Sequence, residues 1–163
     1  MAKDYKIVDN FLPKKEFEEY QDYVIRKLPY FFRKGVAYDE SDLFCFYHFL
    51  YGKDRVLSTQ EHFDKVARPL LDKIKFYSLL RIKCNLYTKT EKLFEHNSHT
   101  DMPFPHKGFL FYVNTNNGFT ILEDGTKIES VANRALFFDS SKHHKSTTCT
   151  DEDVRVNINI NYV

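Results

Sequence analysis

Residues 154 to 161 read Val-Arg-Val-Asn-Ile-Asn-Ile-Asn, an alternation of aliphatic and polar side chains with a period of two. Successive side chains of a strand point to opposite faces, so this pattern predicts a β-strand. One face would bury the aliphatic side chains, while the other presents Arg155 and three asparagines. Polar side chains that face into a closed β structure need a bound molecule or water as hydrogen-bond partners. The stretch therefore predicts a β architecture with a polar ligand beside Arg155.

The same period of two occurs earlier, in residues 80 to 87. Asn116-Asn117-Gly118 and Asp124-Gly125 have the composition of hairpin turns. The chain also contains 16 Phe and 11 Tyr, a composition that favours broad, packed β surfaces. We therefore expect residues 77–163 to form the β core of a single domain that comprises residues 1–163.

The first half of the chain combines helical and extended patterns. Residues 5–8 predict a short strand, and apolar residues at helical spacing predict a helix from Pro13 to about Lys27. The aromatic stretch 30–51 predicts two strands joined by a loop at residues 38–42. Ser58-Thr59-Gln60-Glu61 resembles a helix-capping signature, which predicts a second helix to about Lys75. Residues 1–76 are thus expected to support the core, in a mainly β (α+β) fold with N-terminal helices.

A possible metal site begins at His99-Thr100-Asp101. In a strand, residues i and i+2 point to the same side, so His99 and Asp101 can bind one ion from one segment. His144 lies far along the chain, where a closed β structure can bring it to the same ion. Two imidazoles and one carboxylate form the facial triad of non-haem Fe(II) sites. Arg155, eleven residues later, supplies a fixed cation for the far carboxylate of a dicarboxylic acid such as 2-oxoglutarate.

Taken in order, these motifs resemble the Fe(II)/2-oxoglutarate-dependent oxygenases, most closely the prolyl-hydroxylase-like branch and its relatives in bacteria and phages. The resemblance spans about residues 81–162, roughly half the chain, and implies a double-stranded β-helix (jelly roll) core. It rests on Arg-Ile-Lys-Cys-Asn-Leu-Tyr (81–87), His-Thr-Asp-Met-Pro (99–103), Phe-Tyr-Val-Asn (111–114), Asn-Asn-Gly-Phe-Thr (116–120), Asn-Arg-Ala-Leu-Phe-Phe-Asp-Ser-Ser (133–141), His144 and Arg-Val-Asn-Ile-Asn (155–159).

The resemblance assigns roles to seven residues. The iron ligands would be His99, Asp101 and His144. The residues that hold 2-oxoglutarate would be Arg155, Tyr112, Asn85 and Tyr87. Of these, Arg155 would pair with the C5 carboxylate, with the Tyr112 hydroxyl beside it, and Asn85 and Tyr87 would approach from the strand before the first iron ligand.

Two other histidines lie close in the sequence to the expected ligands. His143 and His144 are adjacent, so they cannot both face one ion in regular structure, and the spacing from Phe138-Asp139-Ser140-Ser141 favours His144. His96 lies three residues before His99, but the triad is complete without it. We therefore expect neither His96 nor His143 to bind the metal.

The activity implied by the resemblance is hydroxylation of a peptide or small-molecule substrate with Fe(II), 2-oxoglutarate and O₂. With Asp101 present, hydroxylation is expected rather than halogenation, because halogenating relatives replace that carboxylate to make room for halide. The alternative is a non-catalytic, cupin-like jelly-roll module that binds a carboxylate or a sugar. A structural jelly roll from a phage, which would form tight oligomers without metal, is a third reading.

Composition limits the partners of the protein. Lys and Arg (24) nearly balance Asp and Glu (23), so no strong overall field attracts nucleic acid or membrane. Basic and aromatic residues interleave from Arg26 to Gly35, but we interpret that run as a strand edge rather than a nucleic-acid site. Three widely spaced cysteines indicate a reducing setting, residues 1–6 lack the apolar pattern expected of a leader, and nowhere do 18 apolar residues run together. We expect a cytoplasmic protein that is a monomer or a weak homo-oligomer.

Overall fold

Residues 4–36 and 42–163, the part of the chain that the computed structural model describes, form eleven strands, one long helix and a second helical segment. The strands are β1 (Tyr5–Val8), β2 (Phe31–Arg33), β3 (Cys45–Gly52), β4 (Arg55–Val56), β5 (Leu79–Thr88), β6 (Lys107–Tyr112), β7 (Phe119–Ile121), β8 (Lys127–Glu129), β9 (Arg134–Asp139), β10 (Lys145–Ser146) and β11 (Val154–Tyr162). Helix α1 is Lys14–Arg26, and the second segment consists of α2 (Gln60–His62), a π-helical turn (Phe63–Ala67) and α3 (Arg68–Leu71). Most of the loop predicted at residues 38–42 lies outside the described residues.

The strands form two antiparallel sheets. The larger sheet has the order β1-β9-β6-β11-β5-β3-β2, with β4 beside β3, and the smaller sheet has the order β10-β7-β8. Strand β11 lies between β5 and β6, so its backbone is hydrogen-bonded on both sides. Nearly all of its side chains are buried. The prediction of a mainly β chain with a jelly-roll core is confirmed. Strands β1 to β4, from residues 1–76, extend the larger sheet rather than standing apart.

The two predicted hairpin turns have different outcomes. Asp124-Gly125 does join a hairpin, in which β7 and β8 pair and Gly125 adopts a φ of 82° that suits glycine. The prediction of a hairpin at Asn116-Asn117-Gly118 was wrong, because β6 and β7 belong to different sheets. The segment is the crossover between the sheets, and the side-chain oxygen of Asn116 accepts a 3.0 Å hydrogen bond from the amide of Gly118. Turn composition alone does not reveal which strands will pair.

The helices cover the outer face of the larger sheet. Helix α1 buries Phe17, Tyr20 and Val24 against aromatic and aliphatic residues of the sheet, including Phe111. Burial of each such side chain stabilises the fold by roughly 1.5–3 kcal/mol. The Tyr20 hydroxyl also donates to the carbonyl of Val66 at 3.0 Å, which links α1 to the second helical segment.

The second helical segment begins as predicted but ends early. Thr59 caps it by accepting a 3.2 Å hydrogen bond from the amide of His62. Pro69 lies in the first turn of α3 and has no backbone N–H to donate to the preceding turn. The turn directly before α3 is accordingly π-helical. The helix ends at Leu71 rather than near Lys75. Within the described residues, no helix is both long and apolar enough to cross a membrane.

Candidate active site

Two loop segments that are far apart in the sequence form the candidate metal centre. His99 and His144 face each other in an isolated antiparallel bridge, where the amide of each donates to the carbonyl of the other at 3.0 and 2.9 Å. The amide of Asp101 donates to the carbonyl of Ser140 at 3.1 Å. One ligand atom from each of His99, Asp101 and His144 thereby lies within 4.8 Å of the other two. The three predicted metal ligands are therefore brought together at one point.

Backbone carbonyls orient both imidazole rings. Nδ1 of His99 lies 3.2 Å from the carbonyl oxygen of Asn97, and Nδ1 of His144 lies 3.0 Å from that of Lys142. An Nδ1–H that donates to a carbonyl leaves the lone pair on Nε2, which is the atom then available to a metal. Burial, together with the charge of His144, lowers the pKa of His99 to about 4. The His99 ring is thus neutral at pH 7, as metal binding requires.

The carboxylate of Asp101 is held by three donors. Oδ1 accepts a 2.6 Å hydrogen bond from Nη2 of Arg81, and Oδ2 accepts from the side-chain amides of Asn159 at 3.0 Å and Asn161 at 2.8 Å. Burial alone would raise the pKa of Asp101. The charge of Arg81 and the amide donors outweigh it and keep the pKa well below its usual range. Oδ2 also lies 3.9 Å from Nε2 of His144, so an ionised carboxylate oxygen faces the imidazole.

A cavity of about 620 Å³, including its mouth, opens beside this group. It lies between the inner face of β5 and β11 and the smaller sheet. Its wall is formed by Arg33, Val36, Arg81, Lys83, Asn85, Tyr87, His99, Thr100, Asp101, Leu110, Thr120, Phe138, His144, Lys145, Ser146, Asn157 and Asn159. Most of these side chains are polar, as the alternation in β5 and β11 predicted.

Arg155 is completely buried at the far end of this polar face. Its Nε donates to the Ser130 hydroxyl at 2.8 Å, its Nη2 to the Thr120 hydroxyl at 3.2 Å, and its Nη1 to the Thr147 carbonyl at 3.4 Å. None of its partners among the described residues is a carboxylate. The guanidinium lies over the rings of Tyr87 and Tyr112, 5.5 and 5.8 Å from their centroids. Arg155 does not line the cavity itself. Thr120, which accepts a hydrogen bond from Arg155, lies between the guanidinium and the cavity.

The other predicted cosubstrate residues occupy different positions. The Tyr112 hydroxyl is buried and donates to Oγ1 of Thr120 at 2.9 Å, so Tyr112 also lies behind the wall. Tyr87 and Asn85 line the cavity directly. The side-chain amide of Asn85 donates to Oδ1 of Asn157 at 3.0 Å, while its own oxygen is buried without a protein partner. A donor on a bound molecule could satisfy that oxygen.

Two histidines near the centre take other roles. His143 is exposed, and of the adjacent pair His144 lies in the group with His99 and Asp101. His96 is buried, and its Nδ1 lies 2.9 Å from the Ser146 hydroxyl. The His96 ring packs on the ring of Tyr87, with 4.9 Å between the centroids.

Sequence reasoning missed several wall residues. These are Arg81, Lys83 and Thr120, and the specific partners of Asp101 on β11, Asn159 and Asn161. The polar positions of β5 and β11 were visible as an alternating pattern, so their facing into a cavity was predictable. No sequence signal marked Thr120, because its role depends on the packing of β7 against Arg155.

Neither a known family model nor a curated protein sequence matches this chain. Solved structures do. A viral collagen prolyl hydroxylase from Paramecium bursaria Chlorella virus 1, in complex with 2OG, is 17% identical with a TM-score of 0.60, over 99% of this chain and 98% of that chain. A prolyl-4-hydroxylase from Pseudomonas putida is 13% identical with a TM-score of 0.59, over 98% and 92%.

A third similar structure, a 2OG-Fe(II) oxygenase-family oxidoreductase from Burkholderia pseudomallei, is 12% identical with a TM-score of 0.70, over 98% of this chain and 84% of that chain. At 12–17% sequence identity, a structural match over nearly the whole of this chain shows that the fold is shared. The fold that the sequence motifs implied is thereby confirmed. This chain has the fold of the Fe(II)/2-oxoglutarate-dependent oxygenases.

Proposed function

We propose that this protein is an Fe(II)- and 2-oxoglutarate-dependent dioxygenase that hydroxylates its substrate. The observation that carries the proposal is the meeting of His99, Asp101 and His144 in the wall of a cavity that leads towards Arg155. Two imidazoles and one carboxylate suit Fe(II) and leave coordination positions open for an organic cosubstrate and O₂. The three ligand atoms lie within 4.8 Å of one another, which supports their binding of a single ion.

When bound, Fe(II) would couple oxidative decarboxylation of 2-oxoglutarate to activation of O₂ and to hydroxylation of a substrate C–H bond, with succinate and CO₂ as the other products. The protein's own residues have simpler tasks. The carbonyls of Asn97 and Lys142 hold the two imidazoles in the required tautomer. The donors around Asp101 keep its carboxylate ionised and fixed in direction.

The cosubstrate's C5 carboxylate would be held at the Arg155 end of the cavity. Oγ1 of Thr120 now accepts hydrogen bonds from both Arg155 and Tyr112. A carboxylate oxygen can accept the same two bonds, and a charge-assisted bond to a buried guanidinium is the stronger one. We therefore expect the Thr120 side chain to turn aside when 2-oxoglutarate binds, while Tyr87 and Asn85 contact the rest of the molecule.

An anaerobic titration tests this proposal. Addition of 2-oxoglutarate to the Fe(II)-loaded protein should produce a visible metal-to-ligand charge-transfer band, which requires both the metal and a chelating cosubstrate. In air, the same protein should slowly form succinate without added substrate. His99→Ala and Asp101→Ala should abolish the succinate signal. Its persistence in both variants would contradict the catalytic assignment.

A carboxylate- or sugar-binding module of the cupin type is the second candidate. It is favoured by the fact that Arg155 already has three protein partners and lies behind Thr120. Binding of Fe(II) without a charge-transfer band and without O₂ consumption would support this second candidate.

We also place the protein in a reducing compartment such as the cytoplasm. Cys45, Cys84 and Cys149 are all buried and free, as expected for thiols that serve as apolar side chains. Fe(II) is also more readily maintained under reducing conditions.

A further inference from the structure

Lys83 is a buried lysine inside the candidate active site. It lies on β5, lines the cavity and exposes only 8% of its surface. Within residues 4–36 and 42–163 its amine forms no hydrogen bond and no ion pair. An ammonium group removed from water without a counter-ion is costly. A lysine in that position is therefore suited to a ligand that supplies the negative charge.

Other basic side chains of the cavity wall have acidic partners. The wall's only carboxylate among the described residues, that of Asp101, is already paired with Arg81. Lys145 is paired with Glu95, at 2.5 Å. Neither Asp101 nor Glu95 forms an ion pair with Lys83, and within the described part of the chain no other acid does.

Strand register places Lys83 near the metal-binding group rather than near Arg155. Lys83 pairs with Asn159 across the β5–β11 ladder, and Asn159 donates to Asp101. Arg155 pairs with Tyr87, four residues further along β5. At about 3.3 Å per residue, the two levels are roughly 13 Å apart along the strands. A C5 carboxylate held at Arg155 would not reach Lys83, and the C1 carboxylate of 2-oxoglutarate would be bound to the metal, so Lys83 is left to hold a separate anionic group.

We propose that Lys83, with Arg81 beside it, binds an anionic group of the primary substrate, a carboxylate or a phosphate, next to the metal-binding group. This rests on the proposed function, because it assumes that 2-oxoglutarate occupies the Arg155 end. A neutral substrate would leave the Lys83 ammonium desolvated and unpaired, so the site discriminates against it.

Three matched probes test the charge requirement: propionate, propyl phosphate and the neutral propanamide. Each is added to the anaerobic Fe(II) protein at saturating 2-oxoglutarate, and the charge-transfer band is recorded. We expect the two anions to shift the band saturably, and propanamide to leave it unchanged. The stronger of the two anionic responses identifies carboxylate or phosphate as the preferred group. Loss of the band that more 2-oxoglutarate restores would instead indicate competition at Arg155.

Variants assign the response to Lys83. Lys83→Met should keep the band but weaken the response to the anions by at least tenfold, whereas Lys83→Arg should retain most of it. Lys107→Met, which removes an exposed lysine of β6, is the matched control and should respond as the original protein does. An unchanged response in Lys83→Met would overturn the proposal. So would loss of the band itself in Lys83→Met with metal binding intact, because Lys83 would then hold 2-oxoglutarate.

Calorimetric titration of the metal-free protein with propyl phosphate and propionate is a second readout that does not depend on the cosubstrate. At least one of the two should bind the original protein and Lys107→Met but not Lys83→Met. If the original protein and both variants form no charge-transfer band but still differ in calorimetric binding, the oxygenase function is contradicted and the anion site is supported. If the band forms but no anion binds through Lys83, only the anion site fails.

Discussion

Nη2 of Arg81 lies 2.6 Å from Oδ1 of Asp101, so a largely buried arginine is paired with the one carboxylate of the metal-binding group. A metal ion at His99 and His144 would share that carboxylate with the guanidinium. The two cations would then repel each other across Asp101. Arg81 therefore stabilises the metal-free protein at some cost to metal affinity.

The first prediction concerns this pair. Arg81→Met should destabilise the metal-free protein by roughly 2 kcal/mol, because one partner of a buried ion pair is lost while two amide donors remain. The same change should strengthen binding of Zn(II) or Mn(II), on the order of tenfold, because a like charge is removed. Thermal unfolding in a chelator and a competitive metal titration measure the two effects.

The control for that pair is on the protein surface. Arg68 and Asp64 form an exposed i,i+4 pair at 2.9 Å. Arg68→Met should cost less than about 1 kcal/mol and leave metal affinity unchanged. Weaker metal binding in Arg81→Met would mean that Arg81 mainly orients Asp101.

The second prediction concerns the choice between two adjacent histidines. His144→Ala should lower Mn(II) affinity by two orders of magnitude or more, because it removes one of three protein ligands. His143→Ala is the matched control, since its ring is exposed and lies outside the metal-binding group. Isothermal titration with Mn(II) compares the two variants, and equal losses in both would argue against the assigned ligand set.

The third prediction concerns the cosubstrate. Arg155→Lys should weaken 2-oxoglutarate binding by about tenfold or more, because the guanidinium fork is lost, and should leave metal affinity nearly intact. Tyr112→Phe should have a smaller effect, on the order of 1 kcal/mol, since its hydroxyl contributes one hydrogen bond at Thr120. The charge-transfer titration measures both variants. Parallel loss of metal and cosubstrate affinity in Arg155→Lys would indicate a structural role for Arg155.

The fourth prediction concerns Gly118, where the backbone passes closely over Arg155. A Cβ at this position would lie 2.5 Å from the carbonyl oxygen of Thr148 and 2.6 Å from Cδ of Arg155. Gly118→Ala should therefore destabilise the fold by about 1–3 kcal/mol and displace Arg155, which weakens 2-oxoglutarate binding. Gly52→Ala is the control, because its Cβ would meet only the end of the Leu57 side chain, at 3.3 Å. Urea unfolding of both variants checks the difference, which should vanish if the crossover can shift.

The fifth prediction concerns pH. Burial, followed by the charge of Arg81, lowers the pKa of Lys83 to about 8 in the folded protein, with Arg33 adding to this effect and Cys45 and Asp101 opposing it. The unfolded chain keeps the lysine protonated to its ordinary pKa near 10.5. Between these values the unfolded state binds more protons, so this group makes folding more favourable as pH rises.

Lys83→Met removes that dependence. The variant should be more stable than the original protein at pH 7, by up to about 3 kcal/mol, and its advantage should shrink between pH 8 and 10. Urea unfolding at a series of pH values measures this difference, and Lys107→Met corrects for the loss of one lysine. A difference that is constant across pH 7 to 10 would show that Lys83 titrates normally.

Local sequence patterns predicted two central strands of the core and the side chains that face inward from them. Alternation in residues 80–87 and 154–161 predicted β5 and β11 because the side-chain period of a strand is two. The spacing of His99 and Asp101, with a later histidine and Arg155, predicted a set of metal ligands. The family resemblance built on these motifs predicted the fold. These signals are local or ordered along the chain, and a single sequence displays them.

Strand pairing, ion pairing and side-chain burial depend on contacts between distant segments, and these contacts are visible only in the folded protein. The crossover at Asn116–Gly118 looked like a hairpin because both need the same turn residues, and only sheet pairing distinguishes them. The pairing of Arg81 with Asp101 and the position of Thr120 before Arg155 arise where β5, β7 and β11 meet. That no described residue pairs with the Lys83 ammonium can be seen only in the folded protein. Burial and charge balance are properties of a packed site, so the sequence pattern could predict that polar side chains face inward but not which of them lack a partner.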